Sequence, residues 1–344
     1  MNEHGRTGTI IMDTQMHSKA SDGTWRPAEV VRQAKERGLK AIALTDHDTT
    51  YGVREALIAG EEHGIRVIPG IEIDAEYRRG NAVVQDLELL GLGIDLERMQ
   101  PFVNKRAAAR HTSLDRYLES FNDYLTSNEY AQRNATMQYR LENAHSLEAR
   151  TIIAWRNRKD GYENPTPFLS KMDVVNYLLE HFVPHSENRT KALAGDRAYT
   201  GVMKKEYGFL FGDKEIKPTF YEAIAAVKES GGLPVIAHPG LSKGYEGGMV
   251  KEWERPQSEW FKHGDELTPH AFLSDLKEHG LGGIELYNYA GNDKPHEKDE
   301  TRINVYFAAL AQKLGLKVTY GSDCHGERGK GPQLGTFGSN ELYL

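Results

Sequence analysis

Cysteine is almost missing from the 344 residues, with Cys324 standing alone. Neither an intrachain disulfide nor a cysteine-built zinc knuckle can form. Positive charge is not in excess either. The formal net charge is −7, which argues against a broad basic footprint for long nucleic acid and leaves only a local basic pocket. No apolar run reaches membrane-spanning length, and the first residues, MNEHGRTGT, have no apolar signal core. A cytoplasmic protein without a membrane partner is therefore expected. What is there, 39% hydrophobic and 27% charged residues, is the balance of a globular chain. It is too long for one small core.

Short apolar runs alternate with amphipathic stretches at both ends of the chain. GTIIMD precedes RPAEVVRQAKERG, KAIALTD precedes VREALIAGEEHG, and RVIPGIEI and LELLGLGI follow. After residue 216 the rhythm resumes: FYEAIAAVKESGG before LPVIAHPG, AFLSDLKEHG before LGGIELYN, NVYFAALAQKLG before LKVTYGSDCHG. This pattern predicts βα units on a parallel sheet of about seven strands, a relative of the eight-stranded barrel. Residues 96–216 break the rhythm with helical and turn-rich stretches, too long for a loop. The expected organisation is thus a barrel from 1–95 and 217–344, interrupted by an inserted helical subdomain. The stretch 243–266, glycine-rich and then charged, reads as a loop at the active-site end.

The ionisable residues fall at strand ends. His17 and Asp22 follow the first strand; Asp46, His47 and Asp48 end the second; Glu72 ends the third. His238 ends the strand LPVIA, and Asp323 and His325 end the last. Only Glu88 is expected mid-strand. In a parallel barrel the C-terminal strand ends converge on one mouth, so these groups would meet in a pocket suited to two or three metal ions. Asp13 and Asp48 read better as capping or ligand-orienting residues. One position is odd. Gln15 shares a strand face with His17, where a second imidazole would complete a metal pair.

HSKASDG, LTDHDTTYG, VIPGIEI, AHPG, GIELYN and GSDCHG, in that order, closely resemble the PHP (polymerase and histidinol phosphatase) family of metal-dependent phosphoesterases. The resemblance implies a distorted (β/α)7 TIM-like barrel, the PHP fold, with up to three metals. One would be held by Gln15, His17, Glu72 and Asp323. A second would be held by Glu72 as a bridge, Glu88 and His238, and a third by Asp22, His47 and His325. The family usually has histidine where Gln15 and Glu88 stand. Both departures replace nitrogen by oxygen, which favours manganese or magnesium over zinc, with iron also open. Gln15 is either a weak ligand or a hydrogen-bonding neighbour.

The implied reaction is hydrolysis of a phosphate monoester or a cyclic or linear diester of a small metabolite or nucleotide by a metal-activated water. Glu72 would orient the nucleophile, and His296 is either the proton donor or a solvated surface residue. Tyr287 and Lys171 would contact substrate. Lys171 and Asp173 stand where the small-molecule branch often has arginine and histidine, so the substrate differs from that branch's usual one. Arg106 and Arg110 read as solvating charges on a long helix. Cys324 should face the barrel wall as an inert thiol. Three rivals stay open: an amidohydrolase-like metal hydrolase, a 3′,5′-bisphosphate nucleotidase or exonuclease, and a non-catalytic binding protein with a degraded cluster.

Overall fold

The computed structural model describes residues 9–79, 82–165, 167, 169–194, 197–210, 215–241, 254–259, 261, 267–287, 300–327, 334–335 and 337–344. His296, and all of 243–266 except 254–259 and 261, lie outside these residues. The chain forms two compact units, Met1–Asn104 with Lys217–Leu344, and Lys105–Ile216.

In the first unit seven strands make one sheet in chain order: β1 (Met12–Asp13), β2 (Ala41–Leu44), β3 (Arg66–Arg79), β4 (Ala82–Leu92), β5 (Leu233–Ile236), β6 (Gly283–Tyr287) and β7 (Lys317–Gly321). The Thr14 N–H donates to the Tyr320 carbonyl at 3.1 Å, and Met16 bridges in parallel to Cys324. The last strand thereby returns beside the first and nearly closes the distorted seven-stranded α/β barrel. One expectation fails. β4 runs antiparallel to both β3 and β5, because no helix separates it from β3, and parallel neighbours need a crossover. β3 also continues past Glu72 to Arg79, so Glu72 sits mid-strand rather than at a strand end.

Alternation sorts the side chains between the two faces of the sheet. Inward, Met12, Ala41, Ala43, Ile68, Leu90, Leu92, Val235 and Ala237 pack into one apolar cluster. The same pleat carries Glu72 and Asp74 inward on β3, Glu88 on β4 and Glu285 on β6. Outward, Ile71, Leu89, Ile236 and Ile284 meet Ile224, Leu276 and Leu310 from the helices Phe220–Glu229, Pro269–Glu278 and Glu300–Leu314. Across β2, Ile42 and Leu44 meet Val30, Ala34 and Ala56 of helices Pro27–Glu36 and Val53–His63. Each such buried Val, Leu or Ile side chain contributes roughly 1.5–3 kcal/mol. Local signals bound these helices. Pro27 opens the first, Gly64 closes the second in the left-handed region at φ 61, and Thr219 and Glu222 cap the helix before β5 reciprocally.

The described residues of the second unit are helical or irregular. Its core contains Leu118, Phe121, Tyr139, Ile152, Leu178 and Tyr207. Arg106 and Arg110 are 2% and 6% exposed, so they do not solvate their helix. Arg106 donates to the Ile216 carbonyl at 2.7 Å, and Arg110 lies 3.4 Å from Glu215. Lys171 begins the helix Lys171–His181. Asp173 in its first turn completes a capping box with Ser170 and pairs with Arg156 at 2.5 Å, which accounts for an aspartate there without any ligand. No described helix is long and apolar enough to cross a membrane.

Candidate metal centre

Eight of the nine residues proposed as metal ligands come together in three linked groups: His17, Asp22, His47 and His325; His17, Glu72 and Asp323; Glu72, Glu88 and His238. His17 is the hub of the first two. Its Nε2 lies 3.0 Å from both Glu72 Oε2 and Asp323 Oδ1, while its Nδ1 lies 3.7 Å from Asp22 Oδ1. Asp22 is also 3.3 Å from His325 Nε2. Glu72 joins the last two groups, because its other oxygen, Oε1, lies 3.3 Å from His238 Nε2. His238 Nε2 is in turn 3.8 Å from Glu88 Oε2. The two oxygens of one carboxylate thus face different donor groups, an arrangement suited to a ligand that bridges through both oxygens.

The ninth residue, Gln15, is fully buried. Its Nε2 donates to Glu72 Oε1 at 2.8 Å. A carboxylate only accepts, so the amide nitrogen must face it. The Gln15 oxygen points elsewhere and has no hydrogen-bond partner among the described residues.

These residues fit a divalent cation on their own evidence. Among the described residues Gln15 Oε1 and His17 Nδ1 are buried without hydrogen bonds, and His17 Nε2 is crowded at 3.0 Å by two carboxylate oxygens, a costly arrangement unless a cation completes it. The electrostatics agree. Burial would raise the Glu72 carboxyl, yet His47, His17 and His238 outweigh it and hold the group well below its ordinary value. Burial would lower the His17 imidazole, yet Asp323 and Glu72 keep it well above. His238, against the same burial cost, is raised to about 10 by Glu72, Glu88 and Asp323. Burial pushes Glu88 up to about 7, with Glu72 and Asp74 adding to it. In the metal-free protein, protons on the imidazoles stand where metal charge would.

A supporting layer fixes the loops. Asp46 Oδ1 accepts from the Ser18 N–H at 2.7 Å and the Ser21 hydroxyl at 2.6 Å, and its Oδ2 accepts from the Ser18 hydroxyl at 2.7 Å. The loop between His17 and Asp22 is thereby held. Asp13 Oδ1 accepts from the N–H groups of Ser322 and Gln15, which clamps the ends of β7 and β1. Asp48, His238 and Asp323 have φ of 50, 24 and 55, left-handed conformations that cost roughly 1–3 kcal/mol each. Such strain gathers where side chains must be aimed. Cys324 is buried with Met16 and Val30 in the barrel wall.

Two further inward groups were missed from the sequence. Asp74 Oδ1 lies 3.8 Å from His47 Nδ1. Glu285, mid-β6 and fully buried, accepts from the His238 N–H, and burial pushes its carboxyl well above the ordinary value. The expectation that Glu88 alone is mid-strand is therefore corrected by Glu72 and Glu285. The signal was available in GIELY, where Glu285 alternates with Ile284 and Leu286 and must share the inner face with Gly283. Tyr287 is buried edge-on to His238, with ring centroids 5.4 Å apart.

Comparison with known proteins agrees with this geometry. The PHP domain family profile matches residues 13–195. A 5′-3′ exoribonuclease of Haemophilus influenzae is 42% identical over 314 residues, covering 91% of this chain and 89% of its own. A phosphoribosyl 1,2-cyclic phosphate 1,2-diphosphodiesterase of Eggerthella lenta is 26% identical over 333 residues, covering 95% and 98%. Among solved structures, an amidohydrolase from Chromobacterium violaceum with bound sulfate and no metal superposes with a TM-score of 0.54 at 22% identity, over 94% of this chain and 90% of its own. That likeness concerns the fold. By its matched profile, its full-length relatives and the order of its motifs, the chain belongs to the PHP domain family.

Proposed function

We propose that the chain is a metal-dependent phosphoesterase that hydrolyses a phosphate ester of a nucleotide or small metabolite with activated water. The observation that carries this reading is the sharing of Glu72 and His17 among three donor groups. Gln15, His17, Glu72 and Asp323 would hold one ion, Glu72, Glu88 and His238 a second, and Asp22, His47 and His325 a third. The oxygen donors Gln15 and Glu88 favour manganese. Bound ions supply Lewis acidity and a water acidic enough to attack at neutral pH.

The chain's own residues do the rest. Glu72 spans two donor groups, and the Gln15 amide fixes its rotation by hydrogen bonding to Oε1. His238 and His17, protonated in the metal-free protein, surrender those protons when they become ligands. Tyr287 closes one side of His238 with an apolar ring. His296, which lies outside the described residues, is the candidate that the resemblance offers for proton donor to the leaving oxygen.

A narrower reading is favoured by one observation. The relatives of H. influenzae, 42% identical, and Escherichia coli, 33% identical over 323 residues, are both named 5′-3′ exoribonucleases. The substrate class would then be the 5′ end of RNA, engaged locally rather than along a basic track. A chain of net charge −7 suits such an end-on contact better than a long electrostatic footprint. A cytoplasmic site of action goes with it.

The test is turnover by manganese-loaded protein of bis-p-nitrophenyl phosphate, nucleoside 3′,5′-bisphosphates, 5′-phosphorylated oligoribonucleotides, and amide and lactone controls. Phosphoester cleavage lost with EDTA and with Glu72→Ala is expected. Mononucleotide release from oligoribonucleotides selects the exonuclease reading. Cleavage of amides or lactones alone, or inactivity with all ions bound, overturns the phosphoesterase.

A further inference from the structure

The second donor group hangs on a strained residue. His238 lies just beyond β5 at φ 24, where a residue with a Cβ is disfavoured. A strained turn aims its side chain reproducibly only when its surroundings over-determine it. On one side the preceding residue is tied down, the Ala237 N–H donating to the Glu88 carbonyl at 3.0 Å. On the other, the His238 N–H donates to Glu285 Oε2 at 3.0 Å. That bond crosses from the end of β5 to the middle of β6.

Glu285 belongs to none of the three donor groups, and the roles assigned above leave it without one. It is nonetheless fully buried, and its second oxygen, Oε1, has no hydrogen-bond partner among the described residues. A carboxyl group in a barrel interior is expensive to keep, and an apolar side chain would fill that space more cheaply. The neighbouring strand makes room for it. At Gly321 a Cβ would collide with Glu285 Oε1 and stand 2.6 Å from the Gln15 Cβ. The glycine on β7 therefore lets Glu285 reach the His238 amide.

We propose that Glu285 is the positioning residue of the second metal group: it pins the His238 amide and so aims the imidazole at Glu72 and Glu88. This inference rests on the metal reading above. Glu285 holds no ion itself. Its loss should cost one site selectively and leave the groups built on His17, Asp323 and His325.

The experiment is a manganese titration of the EDTA-stripped full chain, free ion being followed by electron paramagnetic resonance. It is run on wild type, Glu285→Gln, Glu285→Asp, Glu285→Leu, His238→Ala and the double variant Glu285→Leu/His238→Ala, with urea unfolding alongside. Glu285→Gln keeps an acceptor at the same reach and binds as wild type. Glu285→Asp withdraws the acceptor by one methylene and Glu285→Leu removes it. Both weaken one site about 10–100-fold, the usual effect of losing a ligand-orienting partner. The double variant binds as His238→Ala does, because the two changes act on one site. If Glu285→Asp and Glu285→Leu lose stability but keep every site at wild-type affinity, Glu285 is a structural residue and the inference falls. Additive losses in the double variant also overturn it. A wild type that takes up fewer than two ions refutes the metal reading itself, an outcome visible before any variant is compared.

Discussion

Replacing Glu88 by glutamine should have opposite effects on the metal-free and metal-loaded protein. Glu88 lies opposite Asp74 in the β3–β4 register. Burial, helped by Glu72 and Asp74, moves its carboxyl from 4.5 to about 7. A carboxyl raised on folding holds a proton that the unfolded chain has already lost. Its contribution to stability therefore falls as pH rises from about 4.5 to about 7. Above that range the displacement corresponds to about 3 kcal/mol against the folded state. Water reaching the side chain, 23% exposed, screens this to about 1–2 kcal/mol. Glu88→Gln removes the charge at nearly constant shape. After EDTA treatment the variant should be more stable than wild type by about 1–2 kcal/mol at pH 8 and nearly equal at pH 5. With manganese the order reverses, because the second group has lost one of its two anionic donors and keeps only Glu72. A site filled at a hundredfold excess over its Kd contributes about 2.7 kcal/mol, more than the gain. Urea unfolding at both pH values, with EDTA and with manganese, reads all four states. A metal-free variant less stable than wild type at pH 8, or no reversal with manganese, refutes the reasoning.

Metal uptake should expel protons. His238, raised to about 10, is protonated at pH 8 without metal, and His17, held well above its ordinary value by Asp323 and Glu72, keeps its proton more tightly than a free imidazole. Calorimetric heats should vary with the ionisation enthalpy of the buffer, and affinity should rise with pH; heats independent of buffer contradict this. Asp46→Ala should strand the Ser18 N–H and the hydroxyls of Ser18 and Ser21, at about 1–3 kcal/mol for each group that stays dry. It should weaken the site containing Asp22 before the one containing His238, read by metal titration of the variant.

Much of this was legible in the chain, but unevenly. Strand ends carrying His17, His47, His238, Asp323 and His325 could be read because βα punctuation is local, and parallel topology gathers such ends at one mouth. The β3–β4 hairpin was missed although its signal was present. IEIDAEY keeps alternating after the PG that suggested a strand end, and no helical stretch separates it from LELLGL, which by itself demands an antiparallel pair. Extending that alternation would also have put Asp74 beside Glu72 and shown Glu72 to be mid-strand. Arg106 and Arg110 were misread because a helical face looks solvated until its packing partners, residues 215 and 216, are known. The contact of Glu285 with the His238 amide spans 47 positions and carries no periodic signature. Only the folded barrel brings those two residues together.

Metal stoichiometry, measured by elemental analysis of the purified protein and of Gln15→His, tests the cluster most directly. Two or three equivalents of manganese or another divalent ion in the wild type are predicted, with Gln15→His tightening one site and shifting it toward zinc. One equivalent or none in the wild type, restored by Gln15→His, would contradict the account and mark the chain as a PHP barrel whose cluster has been dismantled at residue 15.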